Sequence, residues 1–199
     1  WTNGIRNIVA VEPCTPAFSK LQQQFASNPN VKLFKVALSN KKGFADMFVE
    51  TKNNGQSNSL LKPKLHTEQY KDITFDDKET VAVELLDELP IDRAMYNMVN
   101  IDVQGKEGDV FLGGLETLKG IDYIYSEINR AELYENCTMV DDLDKILSDF
   151  VRVETNWGGG TWGDALYIRK SILDGIKIVN VPKIFAVPDA HEYPKWNTP

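Results

Sequence analysis

Met95-Tyr96-Asn97-Met98-Val99-Asn100-Ile101-Asp102-Val103-Gln104-Gly105-Lys106-Glu107 is the stretch on which the fold turns. Its first eight residues read as a core strand that ends in a carboxylate. Gln104-Gly105 then turns the chain. Residues 107–119 carry Val110, Phe111, Leu115 and Leu118 at helical spacing, so an amphipathic helix is expected there. A strand, a tight turn and a helix in that order are the start of a parallel crossover unit.

The same grammar extends to both sides. Upstream, 7–12 is a short apolar run ending in Glu12, a helix is expected over roughly 16–27 behind Thr15 as its cap, and 31–37 is a second strand. Residues 44–50 alternate like an edge or hairpin strand, 79–84 form another strand, and Leu85 to Leu89 make a helical turn. Between them, 51–78 is polar and reads as a long, partly mobile loop of the sort that carries function. Downstream, 121–127 is a strand ending in Glu127, a helix follows near 139–149, and strands at 150–156 and 164–169 flank a glycine-rich loop. Alternating strands and helices imply an α/β fold, a mostly parallel Rossmann-like sheet with helices on both faces, closed by a strand pair with an antiparallel member. One domain is expected over 1–170, with the proline-bearing stretch 171–199 as an extended tail.

Composition narrows the function classes. The 199 residues carry a net charge of −7. That balance opposes nonspecific binding to nucleic acid, which needs clustered Lys and Arg. No apolar run reaches the ~18 residues of a membrane span, and no secretory leader is visible at Trp1 to Ile5. Cys14 and Cys137 form neither a disulfide framework nor a metal spacing. Both read as free thiols in or near the core of a protein from a reducing compartment, the cytoplasm.

In an open parallel sheet, ligands bind outside the carboxyl ends of the strands. Three strands end there in acids: Glu12, Asp102 and Glu127. Glu12 suits the hydroxyls of a ribose, with a helix cap or surface acid as the plainer alternative. Asp102 and Glu127 end neighbouring strands and should converge. Close carboxylates raise one another's pKa or share a cation. Either arrangement helps to deprotonate a substrate hydroxyl, as general base or through a divalent ion such as magnesium, with Asn129 as a further oxygen ligand. The alternative is capping, or pairing with Arg130 or Lys106. Trp157 and Trp162 flank the glycine loop and are placed either to stack on a sugar ring or to anchor the loop. His66, in the long loop, and His191, in the tail, supply no metal cluster. His66 is expected to be solvated, a mobile general base being the alternative.

Taken together, several runs resemble the FkbM family of methyltransferases. They are Val9-Ala10-Val11-Glu12-Pro13, Val36-Ala37-Leu38-Ser39-Asn40, Ser57-Asn58-Ser59-Leu60-Leu61 and Asn100 to Glu107, followed by Ser126-Glu127 and Gly163 to Ile168. The resemblance spans about residues 7–169. It implies transfer of a methyl group from S-adenosylmethionine to a hydroxyl oxygen of a sugar or glycan acceptor. It also implies that Glu12 and Pro13 lie at the ribose, that Ala37, Leu38 and Ser39 lie near the adenine, and that Asp102 sits beside the methyl donor in a turn shaped by Gln104 and Glu107. The family pattern opens with a strand and a glycine-rich loop, for which the six residues before the first strand leave no room. Those segments are expected in a longer natural chain. A nucleotide-sugar or NAD-dependent enzyme on a similar sheet, and a noncatalytic binding module, remain as alternatives.

Overall fold

The structure is a computed structural model that describes residues 7–158 and 160–175. The expectations for Trp1 to Arg6, and for most of the tail, lie outside the described residues. Strand β1 (Ile8–Val11) is followed by helix α1 (Thr15–Phe25) and by β2 (Val31–Phe34), which runs parallel to β1. Cys14, not Thr15, is the residue that precedes the helix, and no side chain caps it. The backbone amide of Thr15 instead donates to the Glu79 carboxylate at 3.1 Å.

The strand expected over 31–37 is two strands. The chain breaks at Lys35 and Val36, and β3 (Ala37–Leu38) leaves β2 to pair with β5 (Asp77–Glu84). Strand β4 (Gly43–Val49) lies antiparallel on β5, as the alternation of 44–50 suggests. Between β4 and β5 the long loop is less open than its polarity implies. It carries a short helix, α2 (Leu65–Gln69), and is pinned by bridges from Phe48 to Ser59 and from Pro63 to Tyr134.

The second half holds the main core. Strand β6 (Met98–Ile101) leads into α3 (Glu107–Leu112) and α4 (Leu115–Leu118). The single helix expected over 107–119 is broken at Gly113-Gly114. A Cβ on Gly113 would stand 2.1 Å from the Ser39 carbonyl oxygen, so only glycine lets the two backbones approach. Strand β7 (Tyr123–Asn129) is parallel to β6, with α5 (Val140–Ile146), β8 (Phe150–Asn156) and β9 (Trp162–Arg169) completing a sheet ordered β6-β7-β9-β8. Ile124 and Ile128 of β7 project between Phe111, Val110, Leu143 and Leu147, all nearly inaccessible. Val9 and Val11 of β1 pack against the edge of this cluster.

The sheet is therefore mixed α/β, not mostly parallel. Among the described residues three strand pairs are parallel and three antiparallel, in three separate sheets. The antiparallel share comes from β4 returning on β5 and from β9 inserting between β7 and β8. Where the sequence suggests an extended tail, Lys170–Gly175 forms a helix, α6, directly after β9. No helix among the described residues is long and apolar enough to cross a membrane. Both cysteines are buried free thiols, as expected.

Candidate functional site

The parallel register of β6 and β7 builds the centre of the site. Ile101 pairs with Ser126, so the next residues, Asp102 and Glu127, fall side by side. Asp102 directly follows β6, whereas β7 runs two residues past Glu127, to Asn129, and does not end at the acid as the sequence suggests. The chain then makes a tight turn in which Gln104 has φ of 53° and Gly105 of 100°, both in the left-handed region. That conformation suits glycine and strains glutamine. It is held from three directions. Ser59 Oγ donates to the Gln104 carbonyl at 2.7 Å, the Thr138 amide donates to the Gly105 carbonyl at 2.8 Å, and Glu107 Oε1 accepts from the amides of Val103 and Gly105 at 3.1 Å each.

The strain puts the Gln104 side chain to use. Its Nε2 donates to Asp102 Oδ1 at 2.6 Å and to Glu127 Oε2 at 3.2 Å, bridging the two acids. The Tyr134 hydroxyl lies 2.7 Å from Gln104 Oε1 and 2.9 Å from the Ser57 carbonyl, fixing the amide's orientation. Asp102 is exposed, whereas Glu127 and Glu107 are buried. Burial, and then the charge of Asp102, push the Glu127 carboxyl up to about 10; burial pushes Glu107 up to about 7. Glu127 is therefore a neutral hydrogen-bond donor at neutral pH.

This has a measurable consequence for stability. An unfolded glutamate loses its proton near 4.5, the folded Glu127 only near 10. Between those values the folded state holds a proton that the unfolded state has lost. Stability therefore falls as pH rises through that window, by at most about 1.4 kcal/mol per pH unit for one proton. Glu127→Gln is expected to flatten the decline of the urea midpoint between pH 6 and 9; an unchanged slope would show that Glu127 is ionised in the fold.

Two cavities meet at this turn. The first, of about 220 Å³, is lined by Val11, Glu12, Pro13, Val36, Ala37, Leu38 and Met47 on one side, with Asp102, Gln104 and Lys106 on the other. Burial holds the Glu12 carboxyl above its usual range, and Glu12 accepts from the Cys14 amide at 2.8 Å. Of the residues singled out for a cofactor, Glu12, Pro13, Ala37, Leu38, Asp102 and Gln104 all line this cavity. Ser39 does not: it is buried, its amide bonds the Glu84 carbonyl, and its own carbonyl faces Gly113.

The second cavity, of about 390 Å³, shares Gln56, Asp102 and Gln104 with the first and adds Ser57, His66, Tyr70, Glu127 and Trp162. Trp162 Nε1 donates to the Tyr70 hydroxyl at 2.6 Å, which fixes the indole at the wall. Trp157 stands elsewhere, against the core and under the Arg130 guanidinium at 4.5 Å. Asn129 is buried, neither of its side-chain polar atoms has a partner, and it lines neither cavity. His66 overturns its expectation as a solvated residue. It is only 4% exposed, because α2 folds it against Tyr70, Phe75 and Tyr134.

Asp102, Glu107 and Glu127 each place an oxygen within 4.8 Å of the others, so Glu107 takes the place foreseen for Asn129 in a set of oxygen ligands. The set fits a divalent cation poorly. The Gln104 amide already donates to Asp102 and Glu127, and Glu107 Oε1 already accepts two backbone amides. Glu107, Ser57, Tyr134 and Glu50 are the residues that strand-end reasoning passes over. The signal for Ser57 and Glu107 lies in the Ser57-Asn58-Ser59 and Asp102 to Glu107 runs, where Ser57, Ser59 and Glu107 are buried; Glu50 and Tyr134 lie outside both runs.

Comparison with known proteins accords with this geometry. The sequence model of the FkbM methyltransferase domain matches residues 1–153. The chain belongs to the FkbM methyltransferase family. This FkbM chain is 30% identical over 163 residues to the 2-O-methyltransferase NoeI of Sinorhizobium fredii (strain NBRC 101917 / NGR234), an alignment covering 78% of the chain and 66% of NoeI. Its fold is similar to the crystal structure of methyltransferase FkbM from Methylobacillus flagellatus KT, with a TM-score of 0.50, 13% identity and coverage of 82% of this chain and 36% of that one. The chain thus spans just under two thirds of one relative and about a third of the other.

Proposed function

We propose that the protein transfers the methyl group of S-adenosylmethionine to a hydroxyl oxygen of a sugar or glycan. The observation that carries this reading is the pair of cavities meeting at Asp102 and Gln104. The first cavity has apolar walls from Ala37, Leu38 and Met47 for a flat base and the Glu12 carboxylate for ribose hydroxyls. The second combines the aromatic faces of Trp162 and Tyr70 with hydrogen-bonding groups from Asn53, Gln56, Ser57 and Glu127, a lining suited to a sugar ring. NoeI carries 2-O-methyltransferase activity in its name, which supports oxygen as the acceptor atom.

The sulfonium donor supplies an electrophilic methyl group when bound. The chain's own residues do the positioning. Asp102 stands between the two cavities and offsets positive charge on the donor side. Gln104 holds Asp102 in place. Glu127, kept neutral by burial, donates to an acceptor oxygen. No step is routed through a cation, since the donor set suits one poorly. The domain is proposed to run to about residue 170. Strands β1 and β6, each laddered to one neighbour among the described residues, leave open edges on which a further strand can pair.

Calorimetric titration of S-adenosylhomocysteine tests the reading. It is expected to bind the longest natural form carrying this sequence, in preference to NAD. Preference for NAD would favour a nucleotide-dependent oxidoreductase on the same sheet; binding of neither would favour a noncatalytic module.

A further inference from the structure

The proposed transfer leaves a proton to be removed from the acceptor hydroxyl, and neither Asp102 nor Glu127 is well suited to take it. Glu127 already carries a proton, and Asp102 accepts a 2.6 Å hydrogen bond from Gln104. The second cavity holds another group. His66 Nε2 lies 3.1 Å from Ser57 Oγ, and both residues line that cavity. Ser57 is itself held by its carbonyl, which accepts from Tyr134, so its hydroxyl is positioned by backbone and ring together. His66 Nδ1 is buried without a partner, and so is Oε1 of Glu50, whose carboxylate acts electrostatically on the imidazole. A merely structural core histidine would satisfy both nitrogens.

We infer that Ser57 and His66 form the proton relay of the acceptor cavity, with Glu50 as the charge that stabilises the protonated ring. The inference rests on the methyl-transfer reading. As the acceptor oxygen forms its bond to the methyl carbon, the sulfur–methyl bond breaks and its electron pair stays on sulfur. The acceptor proton passes to Ser57 Oγ while the Ser57 proton passes to His66 Nε2. The positive charge moves from the sulfonium to the imidazolium, and the ring later releases its proton to solvent. The groups around the ring permit this. Tyr70 and Tyr134 are uncharged phenols, Phe75 is apolar, Glu50 favours the cation, and Asp102 and Glu127 line the same cavity. Burial lowers the ring's affinity for protons, so it waits in the neutral, accepting form.

The first test needs no acceptor. The sequence has two histidines, so proton NMR resolves both, and His191→Gln assigns them. The titration midpoint of His66 is expected to be lower with S-adenosylmethionine bound than with S-adenosylhomocysteine bound, by about half a unit or more, because only the former places a positive charge beside the cavity. Equal midpoints would overturn the relay while leaving methyl transfer intact. Failure of either cofactor to bind would overturn the methyl-transfer reading, and the relay with it. The second test uses radiolabelled methyl donor and a panel of methyl hexosides. His66→Asn is expected to lower kcat about 100-fold with the donor KM within about twofold, and to abolish the acidic limb of the kcat–pH profile. Ser57→Ala is expected to lower kcat and keep that limb. A His66→Asn enzyme with the wild-type acidic limb would overturn the proposal.

Discussion

Gly105→Val is expected to lower the melting temperature by about 10 °C and to abolish S-adenosylhomocysteine binding. Two costs add. The backbone at 105 has φ of 100°, where a β-branched residue is strained. A Cβ there would also lie 2.7 Å from the Cβ of buried Cys137 and 3.2 Å from Leu61 Cδ1. Strain and overpacking together cost roughly 3–5 kcal/mol. A domain of this size loses about 2–4 °C per kcal/mol. Binding suffers because the turn carries Asp102 and Gln104 on one side and leads to Glu107 on the other. Gly160→Ala is the control: φ is 82° there, but no atom lies within 4 Å of the added Cβ. It isolates the strain and is expected to cost about 1 kcal/mol. Melting curves followed by circular dichroism decide the matter, and equal losses at the two positions would show that the contact with Cys137 relaxes freely.

Asp102→Asn is expected to lower methyl transfer about 100-fold or more while leaving S-adenosylhomocysteine affinity within about threefold, the range seen when one electrostatic group is removed from a reacting centre. Asparagine keeps the size of the side chain and an oxygen that accepts from Gln104, so the turn survives. What disappears is the charge between the two cavities. The melting temperature should hold or rise, since Asp102 is one of the charges that resist ionisation of Glu127. For the same reason the alkaline loss of stability should shrink in Asp102→Asn. Wild-type turnover in this variant would remove the carboxylate from the mechanism and leave it a role in shaping the turn.

The two variants probe the same few residues from opposite sides, fold and chemistry, and they show where sequence reading reaches. Strand ends were legible because an apolar run that stops at an acid has one plausible address in an α/β sheet. Glu12 and Asp102 follow from that; Glu127 lies two residues inside the end of β7, and the β6–β7 register sets it beside Asp102. The break of 31–37 into β2 and β3 was not legible, because each half chooses a different partner strand and no local property of Val31 to Ala37 marks the switch. The break at Gly113 was equally hidden. It depends on the Ser39 carbonyl, 74 positions upstream.

By itself, the sequence determined the kinds and order of the elements, the acids at the strand ends, the buried thiols and the family. These are properties of short windows, where periodicity and turn chemistry act over a few residues. Only the tertiary structure decided the mixed direction of the sheet and the protonation of Glu127. The same holds for the burial of His66 and for the division of the site into two cavities. Each of those depends on groups far apart in the chain whose distance, and hence whose desolvation and mutual charge, exists only once the chain has folded. His66 is the clearest case. A histidine in a polar loop looks solvated until Tyr70, Phe75 and Tyr134 close over it and bring it against Ser57.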